Sequence, residues 1–278
     1  MCPYIHIFEL NIPVYGIMTI LGMLVALGVV ILQCKRYNYP HQEALLTALI
    51  GLAGGIAGAF MLRPITKLPD VIINWEKYSM IPVGEFFSWF IGDIVFYGGL
   101  IGGVIAVILY CRYFKEPIIR IADLFAPALP VGHAIGRIGC LLAGCCYGIR
   151  VSPHNPLAII YPMRTDGLSA VAAPAGIPLL AMPLIEAGGN IVIACIVLLY
   201  QRKTKAQGRG IAVYGILYSI QRFILEFFRG DLTRGVYGGI STSQIISMVI
   251  FAASMLWLYI ILPRLRPATH IPVITNRS

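Results

Sequence analysis

Seven apolar runs, each close to the ~20 residues needed to cross the hydrocarbon of a bilayer as a helix, divide this 278-residue chain and leave little room for any other fold. They fall at 14–33, 43–62, 93–111, 118–143, 177–200, 210–228 and 240–262. Hydrophobic residues make up 58% of the chain and charged residues 12%, and the mean hydropathy is +0.82, so there is too little polar surface to cover a soluble globule. The net charge of +9 does not mark a nucleic-acid binder, because the basic residues sit in short groups between the runs. The expected fold is an all-α integral membrane protein of about seven transmembrane helices, with residues 1–278 forming one polytopic membrane domain.

The basic groups set the expected orientation. Lys35, Arg36, Arg112, Lys115, Arg120, Arg202, Lys203, Lys205, Arg209, Arg264, Arg266 and Arg277 fall on one side; Arg63, Lys67, Lys77, Arg150, Arg164, Arg229 and Arg234 are spread over longer loops on the other. The positive-inside rule puts the first group in the cytoplasm, the N-terminus out and the C-terminus in. No Lys or Arg precedes the first run, which is expected to stay in the chain rather than act as a cleaved signal. Two outer segments stand out. Residues 63–92 carry Phe86, Phe87, Trp89 and Phe90, a composition suited to the membrane interface, and the proline-rich loop 149–176, with a short strand in LAIIY, is the place for a small extracytoplasmic cap.

Polar groups inside the runs point to function, since an arginine at membrane depth costs about 2.5–3.5 kcal/mol on insertion scales. In GHAIGRIGCLLAGCCYG (132–148), His133, Arg137 and Cys140 are spaced i, i+4, i+7 and share one helix face. YSIQRFILEFFR places Tyr218, Arg222, Glu226 and Arg229 on a second stripe. Together Arg137, Arg222 and Arg229 would form a cationic clamp of the kind that holds phosphate bidentately. An ion-pair ladder through Glu226 that only locks helices is the competing reading, but three arginines and one glutamate leave a positive excess that favours an anionic ligand, in a membrane a phospholipid headgroup. Glycines four apart, among them Gly51/Gly55, Gly54/Gly58, Gly98/Gly102 and Gly99/Gly103, are expected to be packing devices, with YGGLIGG at 97–103 as a candidate exception.

Cys34, Cys111 and Cys195 read as small buried hydrophobes. Cys140, Cys145 and Cys146 differ, because thiols beside an arginine can become nucleophilic. No metal site is expected from the sequence, since no second Cys/His pair stands at ligand spacing, and a disulfide between the adjacent Cys145 and Cys146 has poor geometry. No cofactor is expected.

The chain resembles the prolipoprotein diacylglyceryl transferases, bacterial membrane enzymes of seven spans. Tyr15-Gly16 is similar to the family's early Tyr-Gly, YGGLIG at 97–102 to its HGGLIG, DLFAPALPVGHAIGRIGCLLAGCCYG at 123–148 to its signature around GRLGNFINGELYG, and RFILEFFRGD at 222–231 with ISTSQIIS at 240–247 to its closing REFFR and ISMGQ blocks. Four ordered blocks are more specific than any one of them. The resemblance implies a bacterial plasma-membrane (inner-membrane) enzyme that moves a diacylglyceryl group from phosphatidylglycerol to a lipoprotein cysteine, with the anionic phospholipid and a prolipoprotein as partners. It makes Arg137 the signature arginine, Arg222, Glu226 and Arg229 the polar stripe that binds and polarises the phospholipid, Tyr15 and Tyr218 supporting groups, and Glu186 the glutamate of the family's QLYEA. Gly98, Gly99, Cys140 and Cys146 complete the expected substrate-binding set. Four positions depart from the family. Tyr97 replaces its histidine, Cys140 and Ala143 replace its signature asparagines, and Cys145 replaces its signature glutamate.

These departures divide the expected chemistry. Displacing glycerol phosphate from a glycerol carbon needs positive charge where the leaving phosphate develops negative charge, which the arginines supply. It also needs a base for the incoming thiol, and Tyr97 is a poor one, with an ordinary pKa of about 10, leaving His133 and Glu226 as substitutes. The leading expectation is therefore a divergent, cysteine-rich diacylglyceryl transferase. The alternatives are a lipid or acyl transferase using Cys145 or Cys146 as nucleophile, and a non-catalytic phospholipid-binding homologue.

Overall fold

The structure, a computed structural model, describes residues 4–7, 10–86, 96–162, 173–204, 207–231, 236–237 and 239–264. The described helices are α1 (Val14–Tyr37), α2 (His41–Ile73), α3 (Trp75–Ser79), α4 (Phe96–Tyr113), α5 (Ile118–Phe125), α6 (Ala128–Ala143), α7 (Met182–Lys203), α8 (Arg209–Glu226) and α9 (Thr242–Leu256), the last continuing through a π turn, Trp257–Ile261, into Leu262–Arg264. Three two-stranded antiparallel pairs join them: β1 (Tyr4–Ile7) with β2 (Leu10–Pro13), β3 (Ala158–Ile160) with β4 (Pro178–Leu180), and β5 (Val236–Tyr237) with β6 (Ile240–Ser241). Among the described residues five helical stretches are long and apolar enough to cross a membrane: Val14–Tyr37, His41–Ile73, Ile118–Ala143, Met182–Lys203 and Thr242–Ile261. The protein is a multi-pass helical membrane protein.

Several boundaries differ from the sequence expectation. Arg63, Pro64 and Lys67 read as the start of a loop, yet α2 runs on to Ile73 with Pro64 and Pro69 inside it. A proline removes one helical hydrogen bond without ending every helix, and at ~1.5 Å per residue this one is about 50 Å long, well beyond a ~30 Å hydrocarbon layer. The run 118–143 is two helices, because Pro127 precedes α6 as its N-cap and the chain turns there. Residues 178–180, expected as helix, form β4, and α7 begins only at Met182 with Pro183 in its first turn, where the missing N–H costs nothing. The expected strand in LAIIY is present as β3. Phe87, Trp89 and Phe90 lie outside the described residues.

The chain forms two compact units, Val30–Ile121 and the pair of segments Met1–Val29 with Ala122–Ser278. In the first, α2 and α4 meet through bare backbone: a methyl group on Gly58 would strike the carbonyl oxygen of Gly98, and one on Gly102 that of Gly54. The small-residue spacing thus serves helix packing. At one end of this unit Tyr39 donates to Glu116 (2.7 Å), Tyr110 donates to Glu43 (2.8 Å), and Arg120 donates to the carbonyl oxygens of Tyr37 and Asn38.

In the second unit α6 packs on α1 where Gly132 faces Gly22, a contact that a Cβ at Gly22 would bring to 2.8 Å from the Gly132 carbonyl oxygen. α7 and α8 share a core of Ile193 and Val197 with Ile211, Tyr214 and Leu217. Asp123 of α5 anchors α8. Its buried carboxylate accepts from the backbone N–H groups of Gly208 (2.7 Å) and Ile211 (2.9 Å), while its carbonyl oxygen accepts from the Gln201 side chain (2.8 Å). A carboxylate at a helix N-terminus satisfies donors that lack an intrahelical partner and meets the positive end of the helix dipole. Asp123→Ala should therefore lower stability in detergent by about 1–3 kcal/mol, the cost of leaving such buried donors unpaired, with Asp123→Asn retaining part of the loss. Thermal unfolding followed by circular dichroism measures the difference.

Candidate active site

Glu186, in the second turn of α7, is the point on which three arginines converge. Arg137 of α6 brings Nε to 2.6 Å from Glu186 Oε2, Arg229 brings Nη1 to 2.7 Å from Oε1, and Arg222 of α8 brings Nη1 to 3.4 Å from Oε1. Arg222 also pairs with Glu226 one turn along α8 (2.7 Å), and Arg229 forks onto Asp231, donating from Nε and Nη2 at 2.9 and 2.8 Å. The cluster is withdrawn from solvent, with side-chain exposures of 4% for Glu186, 3% for Arg229, 11% for Arg222 and 14% for Arg137. Buried charges survive only in such paired arrangements.

This geometry changes two sequence expectations. α8 ends at Glu226, so Arg229 is not part of a helical stripe; it reaches Glu186 from the turn that follows. The turn is held by a backbone clip, in which Ile149 N–H donates to the Phe228 carbonyl (2.9 Å), Gly230 N–H to the Tyr147 carbonyl (3.1 Å) and Gly148 N–H to the Leu180 carbonyl (3.0 Å). Gly148 and Gly230 permit it, since a Cβ on Gly230 would collide with the Gly148 carbonyl and one on Gly148 would lie 2.6 Å from Met182 Cγ. The expected positive excess is also absent from the cluster. Arg137, Arg222 and Arg229 are matched by Glu186, Glu226 and Asp231, three charges against three. Sequence spacing could not show that Glu186, from a different run, belongs with both stripes.

What remains for a ligand is a set of donors. Arg137 uses only Nε, which lies against Glu186 and also donates to Nε2 of His133 at 3.1 Å. Neither of its terminal Nη groups takes a hydrogen bond or ion pair among the described residues, and it is the most exposed of the three arginines. The His133 ring is tilted against that of Tyr218 (centroids 5.6 Å apart), and its Nε2 lone pair is engaged by Arg137, as Glu226 is by Arg222. Tyr15 of α1 lies over Gly139, whose added Cβ would stand 3.4 Å from the Tyr15 ring. Sequence reasoning did not single out Asp231, nor Ser243, whose hydroxyl accepts from Arg222 at 3.0 Å, nor the amides of Asn190 and Gln221, which donate to the Glu186 carbonyl at 2.8 and 3.3 Å. Asp231, two residues after Arg229, and Ser243, inside ISTSQ, stood in quoted blocks, but nothing local identified their partners.

One turn beyond Arg137 the three thiols come together. The sulfurs of Cys140, Cys145 and Cys146 all lie within 4.8 Å of one another, and none is in a disulfide. Gly144, in the left-handed region at φ 73°, ends α6 and reverses the chain, so that Cys145 N–H donates to the Cys140 carbonyl at 3.1 Å. Cys146 itself has φ 58°, uncommon for a residue with a side chain. Tyr161 covers this turn, and burial, with the thiols close by, pushes its hydroxyl up to about 12. Tyr97, Gly98 and Gly99 belong to the other compact unit, where Gly98 packs on Gly58 and Gly99 on Gly55 and Ala59.

The similarity to known proteins extends over almost the full length. A model of the prolipoprotein diacylglyceryl transferase family matches residues 3–260. The chain is similar to a phosphatidylglycerol–prolipoprotein diacylglyceryl transferase of Clostridium tetani (strain Massachusetts / E88), 33% identical over 244 residues covering 87% of this chain and 90% of the relative. It is 34% identical to the second such enzyme of Clostridium perfringens (strain 13 / Type A) over 251 residues, 90% of this chain and 91% of the relative. A third relative, from Proteus mirabilis (strain HI4320), is 29% identical over 265 residues, 88% and 87% of the two chains. The chain belongs to the prolipoprotein diacylglyceryl transferase family.

Proposed function

We propose that this protein transfers a diacylglyceryl group from phosphatidylglycerol to the cysteine thiol of a prolipoprotein, with Arg137 as the group that meets the phosphate. The observation that carries the reading is the pair of Nη donors on Arg137, which make no hydrogen bond or ion pair among the described residues while Nε is held by Glu186. A guanidinium so fixed presents two parallel N–H groups, the pattern that fits two phosphate oxygens. The family membership and the names of the relatives support the substrate pair.

The reaction follows from these parts. The acceptor sulfur attacks the glycerol carbon of the lipid, the C–S bond forms as the C–O bond breaks, and the electron pair leaves with glycerol phosphate. Arg137 stabilises the oxygen on which charge develops, more strongly than water would because the site is largely dry. Glu186 keeps the guanidinium oriented, and Arg222 and Arg229, already paired, hold Glu186 in position. Tyr15 and Tyr218 flank the lipid phosphate.

The same reading places the protein in the bacterial plasma membrane with seven spans, the N-terminus out and the C-terminus in. α4 and α8, 18 residues each and so about 27 Å long, complete the seven. The basic ends of α1 (Lys35, Arg36), α4 (Arg112) and α7 (Arg202, Lys203) support the orientation.

Two measurements test this. With phosphatidylglycerol and a synthetic lipobox peptide, Arg137→Ala should lower turnover roughly 100- to 1000-fold, as for loss of a donor to a developing oxyanion. Glu186→Gln, which leaves three buried guanidinium groups short of a partner, should lose both activity and about 3–5 kcal/mol of stability. An unchanged rate in Arg137→Ala would remove it from the reaction. For topology, green fluorescent protein fused to the C-terminus should fluoresce and alkaline phosphatase fused there should be inactive; the reverse pattern would invert the orientation.

A further inference from the structure

The transferase reading leaves the acceptor thiol without an activator. Tyr97 stands where the family's histidine does, the lone pair of His133 Nε2 is engaged by Arg137, and Glu226 is ion-paired with Arg222. At the position of the family's signature glutamate the chain has Cys145, and the fold gathers Cys140, Cys145 and Cys146 at the end of α6.

We propose that these three thiols bind one thiophilic divalent cation, of which zinc is the representative, and that its open fourth position takes the sulfur of the acceptor cysteine. The proposal rests on the transfer reading above for the identity of the acceptor. Three sulfurs within 4.8 Å of one another are close to what a tetrahedral zinc requires, since Zn–S bonds of ~2.3 Å set neighbouring sulfurs about 3.8 Å apart. An inward movement of about 1 Å closes the set. Linear spacing hides the site, because Cys145 and Cys146 are adjacent and no second Cys or His pair follows. The left-handed Gly144 and the positive φ of Cys146 supply what the spacing lacks, turning both side chains back toward Cys140. Backbone held in such a sparsely populated region is common where a site must be fixed.

A further observation points to a ligand at this place. The Tyr161 side chain is buried, 3% exposed, and its hydroxyl is a buried polar atom with no hydrogen-bond partner among the described residues. Its ring lies against the turn that carries the thiols, 3.3 Å from the place of a Cβ on Gly144, so a hydrogen bond to a ligand held in that turn would satisfy it.

A three-ligand zinc site with an open position is the arrangement of catalytic rather than structural zinc. Coordination deprotonates the acceptor outright, the proton passing to solvent, and the metal-bound thiolate is the nucleophile. The sulfur then forms the C–S bond to the glycerol carbon while glycerol phosphate departs toward Arg137, and the product thioether, a neutral and weaker ligand, leaves the metal. Nothing is oxidised or reduced. The cation replaces the missing base, and Arg137, three residues before Cys140, serves the other end of the same displacement.

The test uses the full chain purified in detergent under a phosphine reductant, stripped of metal with a chelator and titrated with Cd²⁺ and Zn²⁺. One Cd²⁺ per chain with a thiolate-to-metal charge-transfer band, lost in Cys145→Ala/Cys146→Ala while the helical circular dichroism is retained, is the expected result. Restoration by Zn²⁺ of peptide modification in the stripped protein, at least tenfold above the stripped rate, is the second. Absence of the Cd²⁺ band in reduced, folded protein overturns the site whatever the activity. If the metal binds but the stripped protein modifies the lipobox peptide at the full rate, the activating role is overturned and the transferase reading stands. If the metal binds and neither form modifies the peptide, the transferase reading falls, and the activating role with it.

Discussion

Glu186 carries one negative charge among three guanidinium groups drawn from α6, α8 and the turn after α8. In surroundings this dry a lone arginine would not stay charged and buried at tolerable cost, and each of the three is present because Glu186, with Glu226 and Asp231, offsets it. The balance explains why so polar a cluster can sit among apolar helices. It also constrains geometry: Nε of Arg137 is held between Glu186 and His133, which limits how its guanidinium can turn.

The clip among residues 147–149, 228–230 and 180 extends that constraint beyond the helices. Arg229 stands outside α8 and would wander if the turn were free. Its backbone forms an isolated bridge with Gly148, and Arg150 bridges Leu179 of β4, so the small cap hairpin and the arginine turn form one hydrogen-bonded piece. The two glycines at the crossing have no side chain for a steric reason, the approach of two backbones, which is a different use of glycine from the face-to-face contact of α2 and α4.

Much of this was legible in the sequence where the signal was local. Apolar runs gave the helices, and the i, i+4 spacing of His133 with Arg137 and of Arg222 with Glu226 gave two contacts that the structure contains. What failed was whatever depends on distant segments. Glu186 sits alone in its run, and no periodicity shows that it closes both stripes. The positive excess inferred from counting charges within each stripe disappeared for that reason. Asp123 was likewise invisible, since its partners, the N–H groups of Gly208 and Ile211, lie some 85 residues later. Proline signals erred in both directions: Pro64 and Pro69 do not end α2, whereas Pro127 divides a single apolar run. Hydrophobic pattern alone does not say which proline the surrounding packing will tolerate.

Arg137 and Cys140 lie three positions apart on α6, so the Arg137 guanidinium and the thiol cluster are separated by less than one helical turn along a common face. A displacement at carbon develops negative charge on the leaving oxygen as the sulfur gives up its own, and charge therefore moves from one end of that face to the other. An activator built from an acid–base pair would have to find a proton acceptor inside a cluster whose carboxylates are already committed to arginines. A cation held by sulfur avoids that requirement, because it lowers the proton affinity of the incoming thiol before the thiol meets the lipid. On the proposed reading Cys145 helps to hold that cation while Arg137 meets the leaving group, so α6 and the turn that ends it serve the two ends of the displacement.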